Sequence, residues 1–170
     1  MSEIVWRDAG PDDAGTLAAI GRQSFTETFG HLYSPENLAA FLENHSEEGW
    51  RQELADPRYV VRLGFVDGVN AAYMKLGPPS LPFTPPKDSI ELRQFYILKP
   101  WQGAGLAPAM MEWALGEGRR RGAREIYLSV FTDNHRARRF YEKQGFEPVG
   151  SYDFMVGTHA DEDIVMRRAL

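Results

Sequence analysis

Around Gly103 and Gly105 the chain changes its periodicity. Ser89–Leu98 alternates as a strand does, whereas from Ala104 to Arg121 apolar residues recur at helical spacing, among them Ala109, Met110, Trp113 and Ala114. Between the two lies Pro100-Trp101-Gln102-Gly103-Ala104-Gly105-Leu106-Ala107. A strand that enters a helix through two residues without side chains leaves backbone N–H groups open to close approach. The first turn of the helix adds free donors and a partial positive charge. Such a turn accommodates a phosphate or pyrophosphate group, and it fixes a strand–turn–helix order in the middle of the chain.

Gly103 and Gly105 have the spacing of the dinucleotide fingerprint G-x-G-x-x-G/A, but the third glycine position is Pro108. The acidic residue that the fingerprint wants further on is Glu125, at the start of the next strand pattern rather than its end. No G-x-x-x-x-G-K-[ST] occurs, so the case for an ATPase-type phosphate loop is weaker still. Taken alone, the two glycines fit an ordinary strand-to-helix turn equally well.

A second segment decides the reading. Asn134-His135-Arg136-Ala137-Arg138-Arg139-Phe140-Tyr141-Glu142-Lys143-Gln144-Gly145-Phe146 follows downstream. Gln102-x-x-Gly105-x-Ala107 resembles the Q/R-x-x-G-x-G/A acetyl-CoA motif of the GNAT superfamily of N-acetyltransferases. Asn134 to Phe146 resembles that superfamily's N-x-x-A-x-x-F-Y-x-x-x-G-F segment, in the expected order. Three further stretches are similar to polyamine acetyltransferases of the PaiA type: Ser24–Phe29, Ser34–Leu38, and Phe154–Gly157 with the acidic run Asp161-Glu162-Asp163. The resemblance thus covers nearly the whole chain.

It implies an α+β fold, a GNAT-like mixed and mostly antiparallel central sheet flanked by helices, in a single domain over residues 1–170. Acceptor-side helices are expected over about 11–57 and an acetyl-CoA-binding core over about 89–150. The residues agree with such an order. A strand is expected near Ile4–Arg7, followed by two or three helices, with Asp12 or Asp13 as an N-cap and Pro35 in a first turn. Strands Tyr59–Phe65 and Ala71–Leu76 should form a hairpin at Asp67-Gly68. Gly77 to Pro86, rich in proline, suits neither a helix nor a central strand; it is either an ordered excursion over the acceptor side or a disordered loop. Strand Arg124–Phe131, helix Asn134–Gln144 stopped by Gly145, and an antiparallel pair Phe146–Val156 and Glu162–Ala169 complete the chain.

Composition excludes several classes. The chain of 170 residues, 43% apolar, can bury a sizeable core. It contains no cysteine, which removes disulfides, thiolate nucleophiles and cysteine metal sites. No apolar run approaches the roughly 18 residues of a membrane span, and the amino terminus lacks a signal pattern, so a cytoplasmic location without membrane partners is expected. Net charge is −5, which disfavours a nucleic-acid partner. The charge is uneven: residues 1–60 carry 11 Asp and Glu against 4 Lys and Arg. Basic residues gather from Arg119 to Lys143, and a basic region beside the glycine turn suits CoA phosphates, while an acidic N-terminal half suits a cationic amine.

Acetyl transfer from a thioester to an amine needs a neutral amine, a held carbonyl and a proton for the departing thiolate. The resemblance places Tyr141 near the acetyl-CoA sulfur as general acid, and a phenol, with an ordinary pKa of about 10, carries its proton at neutral pH. It makes Glu91 a catalytic carboxylate acting as general base through water, the alternative being a surface carboxylate paired with Arg93. For acetyl-CoA it implies main-chain contacts from Tyr96, Ile97 and Leu98 to the pantetheine, with the amide of Ile97 or Leu98 as oxyanion donor. Gln102, Gly103, Ala104, Gly105, Leu106 and Ala107 would hold the pyrophosphate, Asn134 and Ala137 the pantetheine side, and Lys143 the nucleotide phosphate. Asn134 also suits an N-cap. No metal is implied, since His135 and His159 lack a second ligand at useful spacing. Trp101 reads as packing.

The expected activity is direct acetyl transfer from acetyl-CoA to a primary amine, a polyamine such as spermidine or spermine. Peptide or protein N-terminal acetylation, another small amine, and a non-catalytic acyl-CoA-binding regulatory module are the alternatives. The partner is then a small-molecule amine, and the resemblance is compatible with a homodimer.

Overall fold

The computed structural model describes residues 3–43, 46–82, 85–86 and 88–170. Among these, strands β1 (Ile4–Asp8), β2 (Val60–Val66), β3 (Val69–Gly77), β4 (Ser89–Ile97), β5 (Glu125–Phe131), β6 (Glu147–Val156) and β7 (His159–Ala169) form one sheet. Its spatial order is β1-β2-β3-β4-β5-β7-β6. The helices are α1 (Ala14–Phe29), α2 (Pro35–Glu43), α3 (Glu47–Ala55), α4 (Leu106–Arg120) and α5 (His135–Lys143). This is the expected α+β architecture. β4 runs parallel to β5, while β1 is antiparallel to β2 and β5 to β7.

The chain gathers into two compact units with interleaved segments: Met1–Lys75, Gln94–Leu106 and Val156–His159 in the first, Leu76–Arg93, Ala107–Met155 and Ala160–Leu170 in the second. The stretch 89–150, expected as one cofactor-binding core, is therefore divided between them.

In the first unit, β2 and β3 join through Asp67 and Gly68, whose φ angles of 51° and 78° are those of the tight hairpin turn that Asp-Gly favours. The core of this unit is Ala14, Leu17 and Ile20 of α1, Trp50 of α3, Val61, Leu63 and Tyr73 of the hairpin, and Leu98, with Trp101 packed against it as expected. Burial holds the Tyr73 phenol well above its usual range, seconded by the nearby Tyr96, and the Ser24 hydrogen bond opposes this. Asp13 stands at the N-cap position of α1 but does not cap it. Its carboxylate instead accepts from Arg7 at 2.7 and 2.8 Å and from the Gly10 amide at 2.9 Å. Pro35 opens α2 as expected.

In the second unit, α4 lies close on the sheet. A Cβ added to Gly118 would stand 2.9 Å from Leu170 Cδ1 and 3.5 Å from Ile90 Cγ2. Ile90 is paired with Ile126, so both side chains lie on the face that α4 covers. By alternation Leu92, Leu128 and Val130 follow, all buried. The opposite face carries Glu91, Tyr127, Ser129, Phe131, Asp163 and Val165, as their pairings across β4, β5 and β7 require.

A buried charge in the first unit gives a test of packing energetics. Lys75 Nζ is paired with Glu53 at 2.9 Å and lies 4.5 Å from the centroid of the Trp50 ring. Glu53→Ala removes that carboxylate from an ammonium with 6% exposure, and should cost about 2–4 kcal/mol in urea unfolding at pH 7. Lys75→Met in the Glu53→Ala background should recover most of the loss.

Candidate active site

The glycine turn adopts the backbone that its sequence implies. Leu98, Lys99–Trp101 and Gln102 form a tight 3-10 turn after β4, and Gly103 and Gly105 then take φ of 81° and 80°, a region that disfavours side chains. Those two angles delay α4 to Leu106, two residues later than the helical periodicity suggests. No atom would lie within 4 Å of a Cβ at either glycine. The turn thus presents bare backbone and the free N–H groups of a helix N-terminus to open space, which fits a pyrophosphate. Gln102 braces it, its Nε2 donating to the Ile97 carbonyl at 2.9 Å.

Leu98 departs from expectation. Its N–H donates to the Ala71 carbonyl at 2.8 Å and its own carbonyl accepts from Trp101 at 2.9 Å. With its amide taken by β3 and its side chain in the core, Leu98 is removed as an oxyanion donor, which leaves Ile97 of the two. Tyr96 is partly buried against the same core.

The basic residues also distribute differently. Arg119 and Arg120 stand in the last turn of α4, at the far end from the glycines, roughly 20 Å along a helix of this length. Arg120 and Arg121 are paired with the buried Glu117 at 2.5 and 3.0 Å. They are bound up in the helix end and do not flank the turn.

In the second unit, Asn134 caps α5: its side chain accepts from the Ala137 amide at 3.3 Å. The Ala137 N–H is therefore occupied by the cap. Tyr141 is the buried residue of α5, its ring 5.6 Å from that of Phe140 and 6.0 Å from that of Phe146, edge to face with both. Lys143 is exposed in the last turn.

Glu91 is not a surface carboxylate. It is 5% exposed, and its Oε1 accepts from the Ser80 amide at 2.7 Å and the Ser80 hydroxyl at 3.1 Å. The proline-rich segment is thereby tied to β4 at Ser80. Residues 83 and 84 of that segment lie outside the described residues.

Sequence reasoning passed over other polar groups on this face of the sheet. Tyr152 of β6 shares a 3.1 Å hydrogen bond with Ser129 Oγ of β5. Burial raises the Tyr152 phenol above its usual range, the Ser129 bond works against that, and the charges of Asp163 and Glu91 add to it. Asp161 and Asp163 of β7 are both buried. Burial first, and the Asp161 charge second, push the Asp163 carboxyl from 3.8 up to about 7. β7 begins at His159 and not at Glu162, so Asp161 and Asp163 point inward on either side of an exposed Glu162. Among the described residues no group of three or more His, Cys, Asp or Glu is arranged to hold a metal, and no helix is long and apolar enough to cross a membrane.

Comparison with known proteins matches this geometry to a class: residues 22–146 fit the profile of the acetyltransferase (GNAT) family. The chain is 33% identical over 159 residues to an uncharacterized N-acetyltransferase of Mycobacterium tuberculosis, covering 93% of this chain and 98% of that one. It is 30% identical over 160 residues to an uncharacterized N-acetyltransferase of Lactobacillus delbrueckii subsp. lactis, covering 93% and 92%. Its fold is shared with the PaiA N-acetyltransferase of Thermoplasma acidophilum, solved in complex with coenzyme A, at TM-score 0.78, 20% identity and 99% of both chains. It is also shared with a ribosomal-protein-alanine N-acetyltransferase of Brucella melitensis at TM-score 0.68, 22% identity and 98% and 99% coverage. The chain belongs to the GNAT family. It is an N-acetyltransferase, and acetyl-CoA is its acetyl donor.

Two outcomes follow from the site. Gly105→Ala forces a side chain into a left-handed backbone at an open turn, and should weaken CoA binding tenfold or more by calorimetry while leaving the melting temperature within a few degrees. For Asp163, the folded state retains a proton that the unfolded chain releases between about pH 4 and pH 7. Stability therefore falls as pH rises through that interval and is level above it. Asp163→Asn removes this slope. The variant should exceed the parent in urea unfolding by about 2–4 kcal/mol at pH 8, with the difference closing toward pH 4.

Proposed function

We propose that this N-acetyltransferase acetylates a primary amine directly, in a ternary complex, and that the acceptor is a polyamine such as spermidine or spermine. The observation that carries the reading is Glu91: a carboxylate withdrawn from solvent, held in one orientation by both donors of Ser80, on the strand that leads into the glycine turn. An alkylammonium, with an ordinary pKa of about 10, must lose a proton before its nitrogen can attack, and Glu91 receives it through water. Tyr141 supplies a proton to the departing thiolate. The pantetheine is received along the main chain at Tyr96 and Ile97, with the Ile97 amide as the donor to the thioester carbonyl. Gln102 to Ala107 hold the pyrophosphate, Asn134 and Ala137 order the start of α5 beside the pantetheine, and Lys143 meets the nucleotide phosphate.

The polyamine acceptor is supported by the acidic excess of residues 1–60 and by the PaiA likeness over 99% of both chains. A second reading, acetylation of a protein or peptide amino terminus, is favoured by the likeness to the Brucella melitensis ribosomal-protein-alanine enzyme. Thiol release from acetyl-CoA, measured with spermidine, spermine, free amino acids and short peptides, separates the two. Spermidine-dependent release is expected, reduced tenfold to a thousandfold in kcat by Tyr141→Phe and by Glu91→Gln. Release with peptides and not with polyamines would move the acceptor to the second reading. Unchanged kcat in either variant would remove that residue from the chemistry.

A further inference from the structure

Of the two oxygens of Glu91, one is already engaged. Oε1 accepts from the Ser80 amide at 2.7 Å and from the Ser80 hydroxyl at 3.1 Å. Oε2 receives no hydrogen bond among the described residues, yet it is not a buried orphan either. The 5% exposure that Glu91 retains therefore includes Oε2. Arg93 follows two residues on along the same face of β4, and Tyr127 lies opposite on β5, but both donors to the carboxylate come from Ser80.

The sequence of the segment explains why Ser80 is the donor. Pro78, Pro79 and Pro82 carry no N–H, so Ser80 supplies the first backbone donor after Gly77, where β3 ends. The prolines also fix their own φ and restrict the residue before each of them, Leu81 included, which stiffens the backbone around Ser80. Serine adds a hydroxyl to its amide, and the two converge on one oxygen. A glutamate side chain has several rotatable bonds, and two donors from one stiff segment remove most of that freedom.

We propose that Ser80 is a positioning residue for acetyl transfer: by engaging Oε1 with both of its donors, it leaves Oε2 as the oxygen that receives the proton of the amine. This rests on the reading of Glu91 as general base and adds the group that aims it. An ionised carboxylate only accepts hydrogen bonds, and a base must stand within reach of the proton directly or through one water. The water gives a proton to Oε2 and takes one from the ammonium, so the amine becomes neutral and Glu91 becomes a carboxylic acid. Its Oε1 still accepts from Ser80. The tie thus survives the transfer, and the base keeps one orientation through the cycle.

The test is a double-mutant cycle, read by thiol release from acetyl-CoA with spermidine and with a short alanyl peptide as the amine. Ser80 is exposed, so its variants should fold as the parent does. Ser80→Ala is expected to lower kcat about tenfold with the KM values for amine and acetyl-CoA within twofold, and Ser80→Thr, which keeps both donors, to hold the parental kcat. In the Glu91→Gln background, Ser80→Ala should change kcat less than twofold, since the group it aims is gone. Hydrogen exchange reads the tie without turnover: the Ser80 amide should exchange at least tenfold faster in Glu91→Ala than in the parent, and equal rates overturn the proposal. A parental kcat in Ser80→Ala beside a slow Glu91→Gln overturns the positioning role and leaves Glu91 as base. A loss that persists in the Glu91→Gln background, or that falls on the KM values, makes Ser80 a structural residue and overturns the role as well. A parental kcat in Glu91→Gln overturns the reading of Glu91 as base, and the role of Ser80 goes with it.

Discussion

The parallel pairing of Ser89–Glu91 with Glu125–Tyr127 is the constraint on which the rest depends. Parallel neighbours cannot be joined by a tight turn; they need a crossover long enough to carry the chain back, and α4 is that crossover. A helix in that place must start where β4 ends, so its N-terminus and the glycines that precede it fall at the end of that strand. The pairing is also short. β5 is registered against β4 over three residues and against β7 over seven, so the edge of β5 toward β4 is registered only at its beginning. One short ladder thus yields a crossover helix, a glycine turn with open backbone and an unregistered strand edge.

The two faces of the second unit differ in what they bury. Ile90, Ile126, Leu128, Val130 and Met166 fill the side that α4 covers, and this burial of apolar area carries the folding energy. The other side holds Glu91, Ser129, Tyr152, Asp161 and Asp163, which do not contribute in that way. A buried carboxylate without a donor, as at Asp163, subtracts from stability. Glu91 and Asp163 differ in kind: Ser80 donates twice to the first, while the second receives nothing among the described residues. One is oriented by the protein, and the other is held by burial alone.

Much of this was legible because its signals are local. Gly103 and Gly105 announce a backbone conformation, Asp67-Gly68 a hairpin, Asn134 a cap, and each depends on residues within a few positions. The α+β order followed from the change of period along the chain. What escaped depends on distant partners. The amide of Leu98 is taken by Ala71 of the neighbouring strand β3, 27 residues earlier in the chain, a pairing with no trace near either residue. Asp13 has the type and position of an N-cap, yet Arg7 across the preceding turn claims it. Arg119 to Arg121 read as a basic patch, but a helix of fifteen residues carries them away from the turn, and Glu117 neutralises two of them. Asp161-Glu162-Asp163 is uniformly acidic, so no hydrophobic alternation reveals which members face inward; pairing with β5 decides it.

That same pairing explains how a strand with buried acids holds its place. Along β7, Asp163 and Val165 share one face while Ile164 and Met166 share the other. A slip of one residue would turn Asp163 toward Ile126, Leu128 and Val130, under α4, and would carry Ile164 to the face of Glu91 and Tyr152. The slipped register would bury a carboxylate in an apolar layer, at a cost of several kcal/mol, and would lose apolar contact as well. Asp163 therefore weakens the native state and weakens its nearest competitor more, because in the native register it lies on the face of Ser129 and Tyr152 and not among Ile126, Leu128 and Val130. A side chain that costs the native state stability thus also makes the alternative pairing untenable.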